Sequence, residues 1–156
     1  MRLAKIMEND TVDCDSGICV SVWFQGCPHR CKGCHNPETW NFEDGQEINN
    51  EEAIKQIIEL IDKNGIKRDL SILGGEPLAF QNIDNTIFII NKIREKFKNI
   101  KIYLWTGYTL EEIQENEKMK KVKELIDVLI EGRYIEEQRD ITLELRGSKN
   151  QRIIRN

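Results

Sequence analysis

The chain of 156 residues lacks several features that define other classes of protein. It has no run of about 18 apolar residues, so the sequence predicts no membrane-spanning helix. Residues 1–10 have neither the apolar centre nor the cleavage site of a signal peptide. The net charge is −4, whereas direct binding of nucleic acid calls for a basic surface. We therefore expect a cytoplasmic globular protein with no membrane and no direct nucleic-acid partner.

Cysteine is scarce and unevenly distributed. Three of the five cysteines are crowded into Cys27-Pro-His-Arg-Cys31-Lys-Gly-Cys34, which we call the cysteine loop. An odd number with this crowding does not fit a disulfide framework. The loop can surround one inorganic cluster with thiolates, but it supplies only three of the usual four ligands. It predicts a [4Fe–4S] cluster with one open iron, and we place Cys14 and Cys19 outside it because a small buried thiol is commonly structural.

The cysteine loop could also form a zinc site, a redox-active cysteine pair or an electron-transfer cluster. A zinc knuckle would use His29 or His35 as its fourth ligand, and a redox pair would use only the last two cysteines. Zinc sites usually carry a second pair of ligands further along the chain, and a redox pair does not need Cys27. A pure electron-transfer iron–sulfur protein is a further alternative, which would leave the loop Gly74-Gly-Glu-Pro77 without a role.

Hydrophobic periodicity predicts an α/β fold. Short apolar runs predict strands, and stripes of period 3.6 predict helices between them. This alternation is typical of parallel strands with helical crossovers, and a complete barrel of eight units needs about 250 residues. We predict one domain over residues 1–156, an incomplete parallel (β/α) barrel of about five or six strands. The predicted strands are 19–25, 69–73, 101–105, 127–130 and 141–145, and helices begin near Asn49, Ile83 and Thr109.

Four unusual loops follow the first four predicted strands. They are the cysteine loop, Gly74-Gly-Glu-Pro77, Thr106-Gly-Tyr108 and Glu131-Gly-Arg133. Because the carboxyl ends of parallel strands form the ligand-binding edge of such sheets, we expect these loops to lie together.

The side chains of these loops suit a charged ligand. Gly74 and Gly75 allow close approach of the backbone, and Glu76 offers a carboxylate to an ammonium group. Arg133 could bind a carboxylate, or it could be a surface arginine paired with Glu136 or Glu137. Residues 36–40 are expected to cover the cluster, with Trp40 excluding water from it.

These motifs resemble the radical S-adenosylmethionine (SAM) superfamily. The cysteine spacing is similar to its signature, and Gly74-Gly-Glu-Pro77 is similar to its glycine-rich motif. Four further stretches resemble, within that superfamily, the activating proteins of anaerobic (class III) ribonucleoside-triphosphate reductases. They are residues 26–40, Trp105-Thr-Gly-Tyr108, Glu131-Gly-Arg-Tyr134 and Arg146-Gly-Ser-Lys-Asn-Gln151.

The resemblance implies an activity and its cofactors. A reduced [4Fe–4S] cluster on Cys27, Cys31 and Cys34 would bind SAM and cleave it to methionine and a 5′-deoxyadenosyl radical. That radical would remove a hydrogen atom from a glycine of the reductase and leave a glycyl radical. No catalytic residue beyond the cluster and SAM is implied.

The resemblance also implies which residues contact SAM. Gly33, Cys34 and His35 would lie near the adenine, mainly through their backbone. Gly74, Gly75 and Glu76 would meet the amino group of the methionine end, and Arg133 would meet its carboxylate. Gly33 stands where many superfamily members have an aromatic residue, and Glu131 stands where relatives have aspartate.

The implied partners are proteins. They are the large subunit of the anaerobic reductase and a one-electron donor such as flavodoxin or ferredoxin. Two alternatives stay open from the sequence. The protein could activate another glycyl-radical enzyme such as pyruvate formate-lyase, or it could act on a free metabolite.

Overall fold

A computed structural model describes residues 1–156 and contains one sheet of seven strands. The strands are β1 (Arg2–Asp10), β2 (Cys19–Phe24), β3 (Gln46–Glu47), β4 (Asp69–Gly74), β5 (Ile102–Thr106), β6 (Val128–Glu131) and β7 (Arg152–Arg155). The helices are α1 (Asn50–Ile61), α2 (Ile83–Lys96), α3 (Leu110–Gln114) and α4 (Glu117–Leu125). Short 3-10 turns cover Pro37–Thr39, Lys63–Gly65 and Glu136–Gln138.

The centre of the sheet is parallel and its edges are antiparallel. The strand order is β3-β1-β2-β4-β5-β6-β7. Strands β2, β4, β5 and β6 pair in parallel, whereas β1, β3 and β7 pair antiparallel to their neighbours. Helices α1 and α2 connect the first parallel pairs, and α3 with α4 connects β5 to β6. The fold is therefore mixed α/β, as predicted, but the sheet is only partly parallel.

The two faces of the sheet bury different residues, because side chains alternate along a strand. One face packs under α1, α2, α3 and α4 in a cluster of 23 buried hydrophobic residues that includes Val22, Ile72 and Leu104. The opposite face carries a smaller cluster that includes Tyr103 and Ile130. This second face, away from the helices, supports the site described below.

The helices begin where capping residues occur in the sequence. The Asn49 side chain accepts a hydrogen bond from Glu51 N at the start of α1, and Thr109 forms a capping box with Glu112 at the start of α3. A second cap, Asn116, accepts hydrogen bonds from the first turn of α4. The helical region predicted from Thr109 is therefore two helices, because Asn116 begins a new one.

One predicted strand was wrong, and three observed strands were not predicted. Residues 141–145 form turns rather than a strand, and Ile141 is 83% exposed. Strands β1 and β7 were not predicted, and with β3 they raise the total from the expected five or six to seven. No helix is long and apolar enough to cross a membrane.

Candidate functional site

A cavity of about 520 Å³ lies at the carboxyl ends of the parallel strands and extends over the open face of the sheet. The cysteine loop, the loop after β4 and the loop after β5 form one end of it. Trp23, Leu73 and Trp105 form its floor, and residues 139–147 form a wall. The predicted gathering of motif loops at one sheet edge is present, and of the motif Glu131-Gly-Arg133 only Gly132 lines the cavity.

The cysteine loop presents three free thiols to this cavity. Cys27 N donates to Trp40 O (3.0 Å), and Cys34 N donates to Cys31 O (3.1 Å), so the backbone fixes both ends of the loop. Burial raises the pKa of the Cys27 thiol to about 11, although the backbone N–H groups of His29 and Arg30 oppose the rise. Burial also raises the pKa of Cys31, against an N–H of Tyr134. Coordination by a metal would reverse this preference for the protonated thiol.

Glu76 is completely buried and joins three loops. Its Oε1 accepts hydrogen bonds from Leu78 N (2.9 Å) and Thr106 Oγ1 (2.7 Å). Its Oε2 accepts from Gly107 N (2.7 Å) and from His29 Nε2 (2.9 Å). A carboxylate has about four acceptor sites, so the protein uses all of them here.

Gly75 lets the loop after β4 pack directly on the cysteine loop. A Cβ atom at Gly75 would lie 2.3 Å from Gly26 O and 2.9 Å from Thr39 O. Gly75 N donates to Phe24 O and Glu76 N donates to Gly26 O, both at 2.8 Å. The absence of a side chain therefore brings the two motifs into backbone contact.

The two histidines have partners other than the thiols. The His29 ring binds Glu76 and meets the Tyr108 ring edge-on at 4.6 Å between centroids. The His35 ring lies 5.2 Å from the Tyr134 ring. No three His, Cys, Asp or Glu side chains are grouped to hold a single metal ion. The contacts of His29 and His35 thus give no support to a zinc knuckle, whereas a cluster places each thiolate on a different iron.

Arg133 does not line the cavity. Its guanidinium donates to both carboxylate oxygens of Glu112 (2.9 and 3.2 Å), and this pairing lowers the pKa of Glu112 to about 2. The surface pairing considered from the sequence is thus present, with Glu112 in place of Glu136 or Glu137. Glu131 is buried, accepts a hydrogen bond from Leu110 N (3.2 Å) and pairs with Arg152, so it anchors α3 and β7.

Known proteins that are similar to this chain agree with one another in family. The family described as a 4Fe-4S single cluster domain matches residues 15–154. A protein of Vibrio cholerae is 37% identical over 139 residues, covering 89% of this chain and 88% of the relative. Proteins of Haemophilus influenzae (33% identity, 99% and 98% coverage) and Enterobacteria phage T4 (36%, 88% and 83%) are also similar. All three are named anaerobic ribonucleoside-triphosphate reductase-activating protein.

The chain belongs to this family of activating proteins. The resemblance predicted from the sequence is confirmed, and so is the 4Fe–4S class of its cluster. An activating protein of this family binds a cluster and SAM, so its cavity has to accept both. The three thiols fit the first requirement, and two buried donors without a protein acceptor, Trp40 Nε1 and Arg146 Nε, fit the second.

The sequence alone indicated no role for residues 139–147, which form the wall of this cavity. Arg139 and Arg146 are its cationic residues, and Gln151 supports it. The only signal was the stretch Arg146-Gly-Ser-Lys-Asn-Gln151, which carried the resemblance. Cys14 and Cys19 lie outside the cavity, where both thiols contact Asp10 O (3.8 and 3.4 Å) and burial raises the pKa of Cys19.

Proposed function

We propose that the protein is a radical SAM activating enzyme that generates a glycyl radical on an anaerobic ribonucleoside-triphosphate reductase. The observation that carries this proposal is the cavity itself. Three free thiols and the Gly74–Gly75 backbone line the same end of it, in a chain of the activating-protein family. The alternative is activation of another glycyl-radical enzyme, such as pyruvate formate-lyase.

Cys27, Cys31 and Cys34 are the proposed ligands of the [4Fe–4S] cluster. When bound, the cluster supplies an electron for the reductive cleavage of SAM. The protein positions the cluster and excludes water from it. Trp40 O accepts a hydrogen bond from Cys27 N, and the Trp40 side chain lines the same cavity. The four parallel strands are the part of the sheet that corresponds to the proposed incomplete barrel of radical SAM type.

The loop after β4 is the proposed binding site for the amino group of SAM. Gly74 and Gly75 line the cavity beside the thiols, and the buried carboxylate of Glu76 stands behind them. An ammonium group is attracted by this negative charge in a low-dielectric site, and a direct contact requires that one present partner of Glu76 moves aside. Gly33, Cys34 and His35 remain the proposed neighbours of the adenine.

The proposed partner is the large subunit of the reductase, and the proposed compartment is the cytoplasm. Two apolar residues at the rim of the cavity, Val12 and Ile141, are 77% and 83% exposed. Exposed apolar residues around a reactive cavity suit the docking of a protein segment. A one-electron donor such as flavodoxin or ferredoxin would supply the reducing equivalent.

The test uses the two purified proteins under anaerobic conditions. The reconstituted activating protein is mixed with the reductase, SAM and a one-electron reductant, and the glycyl radical is recorded by electron paramagnetic resonance. We expect the radical on the reductase together with release of methionine. Release of methionine without a radical on the reductase, but with efficient activation of pyruvate formate-lyase, would establish the alternative.

A further inference from the structure

Two side chains that line the cavity each carry a buried hydrogen-bond donor without an acceptor. They are Trp40 and Arg146, and their Nε1 and Nε atoms are the buried side-chain atoms of this chain that lack any partner. A buried donor left unpaired costs about 1–3 kcal/mol, so such atoms are uncommon in native proteins. Both residues line the cavity that carries the three thiols, so a bound acceptor there would satisfy them.

Arg146 is held in place by one side of its guanidinium only. Its Nη1 donates to Gln151 O (3.0 Å), and the structure shows no partner for Nη2 or Nε. These two nitrogens form one edge of the planar group, with two parallel N–H bonds. That edge matches the two oxygens of a carboxylate, which is the ligand that arginine binds in a bidentate manner.

The turn around Arg146 is held by Gln151. Gly147 N and Ser148 N both donate to Gln151 Oε1 (2.9 and 3.1 Å), which fixes the backbone after Arg146. A Cβ atom at Gly147 would lie 3.1 Å from the Tyr134 ring. Tyr134 and Cys31 line the same cavity as Arg146. Arg146 is therefore fixed in a turn that lines the same cavity as the Cys31 thiol.

The other arginines near the site are less suited to a buried anion. Arg133 lies outside the cavity, and its guanidinium already forms a bidentate ion pair with Glu112. Arg139 lines the cavity but is exposed, so water screens its charge. Arg146 combines a place in the cavity with a buried, unpaired donor.

We infer that Arg146 binds the carboxylate of the methionine end of SAM, through its Nε and Nη2 edge. This inference rests on the proposed function, and it replaces Arg133 with a residue 13 positions further along the chain. Arg146 is a binding residue in this assignment, and Gln151 positions it.

The experiment compares SAM with decarboxylated SAM, which lacks only the carboxylate. Binding to the reconstituted protein with an oxidised cluster is measured by equilibrium dialysis, so no turnover is needed. We expect Arg146→Gln to weaken SAM binding about 10- to 100-fold, the effect of one charge-assisted contact. Binding of decarboxylated SAM should not change, because that ligand has no group for Arg146 to hold.

Two further variants distinguish binding from folding. Arg133→Gln is the matched control and should bind both ligands as the wild type does. Arg146→Lys keeps the charge but loses the planar fork, and it should still bind SAM less tightly than the wild type. Iron content and circular dichroism report whether each variant is folded and loaded.

The outcomes separate this inference from the proposed function. A loss of SAM affinity in Arg133→Gln but not in Arg146→Gln would overturn the assignment, and so would equal weakening of both ligands in Arg146→Gln. A wild-type protein that binds neither ligand would remove the proposed function, and the inference with it.

Discussion

Glu76 Oε2 lies 2.9 Å from His29 Nε2 and joins two motifs that are 47 residues apart in the sequence. The same carboxylate holds the loop after β5 through Thr106 and Gly107. One buried side chain thereby fixes the relative positions of three loops that line the cavity. A precise cavity needs such support, since binding groups are effective only when their own positions are fixed.

Removing the Glu76 side chain should destabilise the fold as well as weaken the ligand site. Glu76→Ala leaves Leu78 N, Thr106 Oγ1 and Gly107 N without an acceptor, and each buried donor costs about 1–3 kcal/mol. We expect the free energy of unfolding of the cluster-free protein to fall by at least about 3 kcal/mol in urea denaturation.

Glu115→Ala serves as the control for this substitution, because Glu115 is exposed and its carboxylate has no partner. A Glu76→Ala variant as stable as this control would show that the network contributes nothing to the fold. Its affinity for SAM, measured separately after reconstitution, should fall by about 1.5–3 kcal/mol if the carboxylate also attracts the ammonium group.

Substituting the cysteines one at a time distinguishes the proposed cluster ligands from the two cysteines outside the cavity. Alanine at Cys27, Cys31 or Cys34 should prevent assembly of the cluster, because each removes one of three proposed ligands. Alanine at Cys14 or Cys19 should leave the iron and sulfide content unchanged, since both thiols are buried outside the cavity. Iron and sulfide analysis after anaerobic reconstitution provides the measurement. The ligand assignment fails if the Cys14 or Cys19 variant loses the cluster while one of the loop variants keeps it.

The sequence was sufficient for the elements whose signals are local. Asn49 and Thr109 begin helices as expected, and β2, β4, β5 and β6 lie where short apolar runs predicted them. Loops after parallel strands meet at one edge for topological reasons, so the gathering of the motifs followed from their order. The cluster loop needed only the spacing of its cysteines.

The remaining features depend on contacts between distant residues. Residues 141–145 alternate like a strand, yet Trp105 Nε1 binds Leu145 O, and these residues form turns over the sheet. Arg133 and Glu112 are 21 residues apart, and nothing local indicates that they pair. The role inferred for Arg146 depends on an unpaired buried nitrogen, which only a three-dimensional structure reveals.

Asp13 should make stability depend on pH. Burial, together with the neighbouring Asp10 carboxyl, raises the pKa of Asp13 from 3.8 to about 7. The folded state therefore binds a proton that the unfolded state has already lost, so the free energy of unfolding falls between about pH 4 and pH 7. Asp13→Asn removes this penalty and should stabilise the protein at pH 8 by the order of 1–2 kcal/mol.

Below about pH 3 the Asp13→Asn variant and the wild type should have the same stability, because the carboxyl is then protonated in both states. Asp44→Asn, at an exposed loop position without a side-chain partner, provides the control. Urea denaturation of the cluster-free proteins across this pH range gives the comparison. A gain at pH 8 that persists unchanged at low pH would point to a cause other than titration of Asp13.

Docking of the reductase should depend on the rim of the cavity. Ile141 is 83% exposed and lines the cavity mouth, so Ile141→Asp places a charge where a partner would bury an apolar group. We expect the dissociation constant for the reductase to rise at least about tenfold, with the cluster content unchanged. Ile66→Asp is the matched control, because Ile66 is exposed in the loop before β4, at the opposite edge of the sheet. Binding is measured by anaerobic titration of the labelled reductase. Equal effects of the two substitutions would mean that the reductase approaches another surface, and the apolar rim would then have no part in its recognition.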